Sequence, residues 1–380
     1  MAIVELGNVV DRIKDTVDKN NTDLEYYVGG EHFDFGKVEI QGKAVIKGST
    51  IGPAFHMRFK PGDVLLMSRN PHLRKAARVN FEGLCSDVSY VCRTKDNNIL
   101  LQDLLPFIFQ TDNFWKFAEE HKKGSTNFFL NWSDFQKYKF YLPEIDEQKE
   151  LSKVLWQFNS TLDSYEDLIN KSNELLQARF IEMLDGKDIP LVSVGEILNN
   201  IRHGQSPSKN GTYHKSILTL SAITQGKFDT SCVKEGLFES KPPEDKCVSR
   251  DEFYICRGNG NKNLVGAAAY SKKDRKDLVF PDTVIAADPD TQKVTIEYLD
   301  QAWRSAFVRK QIEAGARTTN GTYKINQKVV SSIKIPLPDM EMQMQFSSFV
   351  HQVEESKTTI QLAYDDVDAM YKHVIKENLG

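Results

Sequence analysis

Four polar stretches hold the side chains best suited to recognition chemistry. Ser68-Arg69-Asn70-Pro71-His72-Leu73-Arg74-Lys75 is the first, and Lys122-Lys123-Gly124-Ser125-Thr126-Asn127 lies later in the same half of the chain. The other half carries Arg257-Gly258-Asn259-Gly260-Asn261-Lys262-Asn263 and Ala316-Arg317-Thr318-Thr319-Asn320-Gly321. Arginine and asparagine offer paired hydrogen-bonding groups that match guanine and adenine edges, while lysine, serine and threonine reach phosphate oxygens. The candidate DNA-binding residues are therefore Arg69, Asn70, Arg74, Lys75, Lys123, Ser125 and Asn127, then Arg257, Asn259, Lys262, Arg317, Thr318 and Asn320, together with Arg202, a loop position outside these stretches chosen for its chemistry. A merely solvated loop has the same composition, so the choice depends on how the rest of the chain is organised.

Covalent chemistry has little to work with. N-P-P-Y, D-P-P-Y, a G-x-G-x-x-G after a strand and a G-x-x-x-x-G-K-[ST] are all missing, which leaves methyl transfer and nucleotide hydrolysis without a motif. Asp339 with Glu355 and Lys357 has the residue types of a metal-dependent nuclease, but on a helical stretch where such a core needs strands. Eight histidines stand singly and five cysteines form no C-x-x-C pair, so neither a metal site nor a disulfide framework is expected. The expectation is a chain that binds no metal or cofactor itself. No stretch approaches 18 apolar residues and no basic leader precedes an apolar run, which predicts no membrane span and a cytoplasmic location.

The elements that must position the loops are set by two long segments. No proline or glycine interrupts the chain between Pro143 and Gly186, and Leu151, Leu155, Phe158, Leu162, Tyr165, Ile169 and Leu176 recur at steps of four and three or their sum. That is a coiled-coil seam on a helix about 57 Å long. At an offset of 195 residues the chain repeats it: Leu337-Pro338-Asp339 to Gln343 mirrors Leu142-Pro143-Glu144 to Gln148. Phe346, Val350, Val353, Ile360, Tyr364, Val367 and Tyr371 then follow in the same phase, so the two helices are expected to pair.

Residues 3–13 likewise match 191–201, which makes the chain a tandem duplication of one globular domain and one long helix. The expected boundaries are 1–142, 143–186, 187–337 and 338–380, with net charges of +1, −6, +6 and −5. The acidic helices are thus the parts least suited to a polyanion. Within each domain, alternating short apolar runs predict mixed structure: a turn entering a buried strand over Lys60–Met67 or Ser249–Cys256, one helix at Leu101–Glu120 or Leu299–Ala314, then a period-two strand through Phe135, Tyr138 and Phe140 or Val330, Ile333 and Ile335.

The repeated proline–acid–glutamine start of each helix, with Val192-Ser193-Val194-Gly195-Glu196-Ile197 and Gly204-Gln205-Ser206-Pro207, resembles the specificity subunits of Type I restriction-modification systems over nearly the whole chain. The resemblance implies a mixed α/β fold: two globular DNA target recognition domains joined by two long antiparallel coiled-coil helices, with a pseudo-twofold internal repeat. It implies no catalysis by this chain, which would recognise a bipartite site on double-stranded DNA. Two methyltransferase (modification) subunits, with S-adenosylmethionine on them, and restriction subunits would be its partners. The first domain departs from the pattern in lacking a G-x-[ST]-P. The alternative is a structural assembly hub whose acidic helical bundle binds proteins without specific DNA recognition.

Overall fold

In the computed structural model, which describes residues 2–319 and 321–380, the two uninterrupted segments are helices α1 (Ile145–Leu184) and α2 (Met340–Leu379), each of 40 residues. The chain divides into two compact units, residues up to 168 with 360–380, and residues 169–359. The division falls inside both helices, not at the repeat boundary, because each globular domain buries the first part of the helix that follows it and the last part of the other.

Both units repeat one topology. In the first, Val10–Ile13, Ser89–Thr94, Val64–Met67 and Ala76–Arg78 form an antiparallel four-stranded sheet in that spatial order. The second has Leu198–His203, Val284–Pro289, Phe253–Cys256 and Ala268–Tyr270 in the same order. Val64-Leu65-Leu66-Met67 and Phe253-Tyr254-Ile255-Cys256 are buried on both faces, which explains why each reads as an unbroken apolar run. A second four-stranded sheet in each unit contains one parallel pair, Tyr26–Val28 with Gly83–Ser86 and Tyr213–Leu218 with Arg275–Val279. A two-stranded ribbon closes each domain, Ala2–Glu5 with Lys139–Leu142 and Leu191–Ser193 with Lys334–Pro336.

Several expectations need correction. The helix expected over Leu101–Glu120 is broken into a 3-10 turn at Gln102–Leu104 and helices Leu105–Ile108 and Asp112–Glu120, and Leu299–Ala314 is split into Ile296–Trp303 and Ala306–Gly315. A hydroxyl makes each break: Thr111 Oγ1 accepts from Phe114 N–H (3.2 Å) and Ser305 Oγ from Val308 N–H (3.3 Å), so each begins a new helix as its N-cap. Phe135 and Val330 lie not on strands but on short helices, Trp132–Phe135 and Gln327–Ser332, and the strands begin only at Lys139 and Lys334.

Within each unit the helices run antiparallel. In the first, the Phe158 and Tyr371 rings are 6.1 Å apart and Tyr364 Oη donates to Glu166 (3.1 Å), so partners fall along α2 as they rise along α1. In the second, Lys357 Nζ donates to Asn173 (2.9 Å) and Phe180 lies 5.8 Å from Phe346. Leu151, Leu155, Leu162 and Leu176 are buried with Phe346, Val350, Val353 and Tyr371, while Phe158, Tyr165, Ile169, Ile360, Tyr364 and Val367 are half-buried. At the end of α1 the seam moves to Phe180, since Arg179 faces solvent.

The shared glutamine joins domain to helix. Gln148 is fully buried (0% exposed); its Nε2 donates to the carbonyls of Ile99 (2.8 Å) and Pro143 (2.9 Å), and its Oε1 accepts from Leu101 N–H (3.0 Å). Gln343, at 1% exposed, repeats the pattern with Lys293 (3.0 Å), Pro338 (2.9 Å) and Thr295 N–H (3.0 Å).

Candidate nucleic-acid interface

The central strand of each domain runs directly into the first polar loop, and the second polar loop folds back onto it. In the first unit Asn70 N–H donates to Phe128 O (2.9 Å) and Leu130 N–H to Ser68 O (2.8 Å), so Arg69 stands opposite Phe129 in an antiparallel bridge. Lys123 bridges Phe129 from the other side, forming the narrow hairpin that carries Ser125 and Asn127. Gly124 (φ +93) makes this turn possible, because a Cβ there would sit 2.8 Å from the Asn127 carbonyl oxygen.

The second unit has the same juxtaposition in fuller form. Gly258–Asn259 pairs with Thr322–Lys324, which pairs with Arg317–Thr319, giving a three-stranded sheet in which Asn259 and Thr318 flank Tyr323. Both loops chosen from composition are therefore neighbours in each unit. Asn320 lies outside the described residues.

The side chains divide by what they already hold. Arg69, Lys262 and Arg317 are exposed and form no ion pair among the described residues. Ser125, Asn127 and Thr318 are also exposed. Arg74 is tied to Asp112 (2.6 Å) and Lys123 to Asp134 (2.8 Å), whose carboxyl the Lys123 hydrogen bond holds below the usual range. Asn259 Oδ1 accepts from Asn261 N–H (2.9 Å), and Arg257 Nη1 donates to Asp282 O (3.1 Å), leaving its buried Nε without a protein partner. The first loop is strained, with Asn70 (φ 51) and Arg74 (φ 47) both left-handed around the 3-10 turn Pro71–Leu73.

One candidate is corrected. Arg202 is 8% exposed and pairs with Glu252 and with Asp288 (3.4 Å), while its Nε donates to Asp245 O (2.7 Å). Its place on strand Leu198–His203 turns it inward, so it neutralises a buried carboxylate and does not face a ligand. Burial pushes Glu252 above the usual carboxylate range against the pull of Tyr254 and Arg202. Lys75 is half-buried, with Nζ donating to Gly30 O (2.6 Å), and braces a neighbouring turn.

The segment from that turn to Lys37 was not singled out from sequence. Phe35, in the following turn closed by Asp34 and Lys37, is 68% exposed, and the Arg74 guanidinium lies 5.8 Å from its ring centre. Lys37, two residues on, donates to Asp163 (2.9 Å) and Glu166 (2.8 Å) of α1. Burial works against the Lys37 charge, but these carboxylates hold its pKa above the usual lysine value.

The nuclease-like set does not converge. Asp339 Oδ1 caps α2 by accepting from Met342 N–H (2.9 Å), and Glu355 and Lys357 lie more than four turns further along, roughly 24 Å away at the helical rise. Among the described residues no group of three or more His, Cys, Asp or Glu side chains could hold a metal ion, and no helix is long and apolar enough to cross a membrane.

Residues 3–177, the first repeat and most of α1, match the family model described as a Type I restriction modification DNA specificity domain. Over that stretch the chain is similar to the Type I restriction-modification specificity family. It is 25% identical over 241 residues to the specificity subunit of the Type I restriction enzyme EcoKI of Escherichia coli strain K12, a match covering 58% of this chain and 51% of that protein. The aligned stretch thus spans about half the length of this curated relative of the specificity family. The fold is similar to the crystal structure of a Type I restriction-modification S subunit from M. genitalium, with a TM-score of 0.59 and 14% identity over 100% of this chain and 96% of that one. A chain solved in work on complex assembly and conformational transition of the type I R-M system is similar at a TM-score of 0.50 and 15% identity, covering 99% and 97%.

Proposed function

We propose that this chain is the DNA-recognition subunit of a Type I restriction-modification system, reading two half-sites and directing partner adenine methyltransferase and restriction subunits to them. The observation that carries the reading is the repeated juxtaposition of a basic loop and a hairpin in two units of one topology. Two readers on one chain suit a divided site. Each unit offers an exposed arginine on these elements, Arg69 or Arg317, free to make bidentate contact with a base.

Chemistry falls to the partners. Two methyltransferase subunits, one for each repeat, hold S-adenosylmethionine and dock on the acidic outer faces of α1 and α2, and restriction subunits add cleavage. The chain contributes only the choice of site.

The helices set the gap between half-sites. Removing one heptad from α1 and the equivalent heptad from α2 shortens each by about 10.5 Å, close to three base pairs of DNA rise. Methylome sequencing of a host carrying the shortened chain is expected to show both half-sites unchanged and the gap reduced by about three base pairs. An unchanged gap refutes the ruler. Mobility shift of the wild-type complex is expected to weaken steeply with salt, and salt-independent affinity refutes phosphate recognition and favours a protein-binding hub.

A further inference from the structure

Phe35 is the most exposed large apolar side chain among the described residues. Its turn is closed by Lys37 N–H donating to Asp34 O (3.3 Å), and Gly36 (φ +76) has no atom within 4 Å of where a Cβ would stand, so the tip is clear of the domain. Both flanks are braced. Lys75 of the reading loop holds Gly30 O, and Lys37 holds Asp163 and Glu166 of α1. A floppy turn would fold its phenyl ring onto nearby apolar surface; this one keeps it in water.

The neighbourhood points to the occupant. The Arg74 guanidinium beside the ring belongs to the loop that also carries Arg69, so the ring borders the proposed reading surface. Asp112 offsets the Arg74 charge, and Asp163 and Glu166 offset Lys37, so this edge has little net attraction for phosphate. The whole of residues 1–142 carries only +1, against +6 for 187–337. Affinity that phosphate contacts do not supply must come from another source, and a rigidly held aromatic ring supplies it by stacking or by insertion at a base step.

We infer that Phe35 is a wedge: it inserts between adjacent base pairs at the edge of the half-site read by the first domain and unstacks that step. The inference rests on the proposed DNA-recognition function.

The test uses the full chain assembled with its methyltransferase partner and duplexes bearing the methylome-derived site, with 2-aminopurine placed at successive positions across and beside each half-site. In the wild type, fluorescence is expected to rise at one step beside one half-site. Phe35→Ala is expected to abolish that rise and weaken binding about 5- to 100-fold with an unchanged salt slope, while Phe35→Trp retains both. Phe35→Ala binding with wild-type affinity, or losing affinity while the 2-aminopurine signal persists, overturns the wedge. Impaired assembly with the methyltransferase but intact DNA response also overturns it, making Phe35 a protein contact. A wild-type complex with no preference for its methylome site fails the underlying function instead, and the wedge with it.

Discussion

Replacing Gln343 with leucine keeps the side-chain size and removes every hydrogen bond it makes. The Thr295 N–H loses its acceptor, and the Lys293 and Pro338 carbonyls lose their shared donor at a site 1% exposed to water. With a net contribution near 1 kcal/mol for each of three bonds, and more where a buried group is left unsatisfied, the loss is about 2–4 kcal/mol. For a unit of this size that corresponds to a fall in Tm of about 4–16 °C. Gln148→Leu is expected to do the same to the other unit, through Leu101, Ile99 and Pro143. Hydrogen exchange separates them: the Thr295 amide should exchange faster only in Gln343→Leu, and the Leu101 amide only in Gln148→Leu. With no shared partner the two losses should add in the double variant. A change under about 0.5 kcal/mol, the range of an ordinary surface substitution, would refute the assignment of these glutamines as the joints between domain and helix.

Arg202→Met leaves the Glu252 carboxylate buried without its cation, an expected loss of about 3–5 kcal/mol in urea melts. Because burial raises the Glu252 pKa, the folded form holds a proton that the unfolded form has released only at a pH between the two pKa values, so stability falls as pH rises through that window. Without Arg202 the window widens upward, and the deficit should shrink when melts are repeated at acidic pH; a deficit independent of pH would count against the ion pair. Arg317→Ala is expected to cost about 1–3 kcal/mol of specific binding and relax choice at one base, read from the methylome. A uniform loss over all sequences would assign Arg317 to phosphate.

The long helices were legible because nothing between Pro143 and Gly186 breaks them and their apolar positions keep phase with the second copy. The sheets were not. Their strands are short and pair with distant partners, Val10 with Thr94 and Tyr26 in parallel with Gly83, which local periodicity does not encode. The helix breaks at Thr111 and Ser305 were missed because a capping hydroxyl there sits within an apolar pattern that continues past it. Arg202 was read as a loop cation from its composition, whereas the strand Leu198–His203 carries it inside. The meeting of the two polar loops had no signal in the sequence, because their adjacency comes from pairings such as Asn259 with Tyr323. Phe35 had no signal at all, since one aromatic residue has no period.

The core of the first domain takes Leu151, Leu155 and Leu162 from α1 but Tyr371, Ile375 and Leu379 from α2; that of the second takes Phe346, Val350 and Val353 from α2 but Leu176, Phe180 and Met183 from α1. A globular domain is therefore not transplantable together with its own helix, because half of its footing is inherited from the other repeat. Chimeras that exchange sequence preference should keep both helices and cut at the ribbon strands, near Glu5 and Pro143 for the first domain or Ser193 and Pro338 for the second. A junction placed at the repeat boundary near Gly186 would carry one half of each footing into a foreign partner, and its product would have to repack before it could read anything.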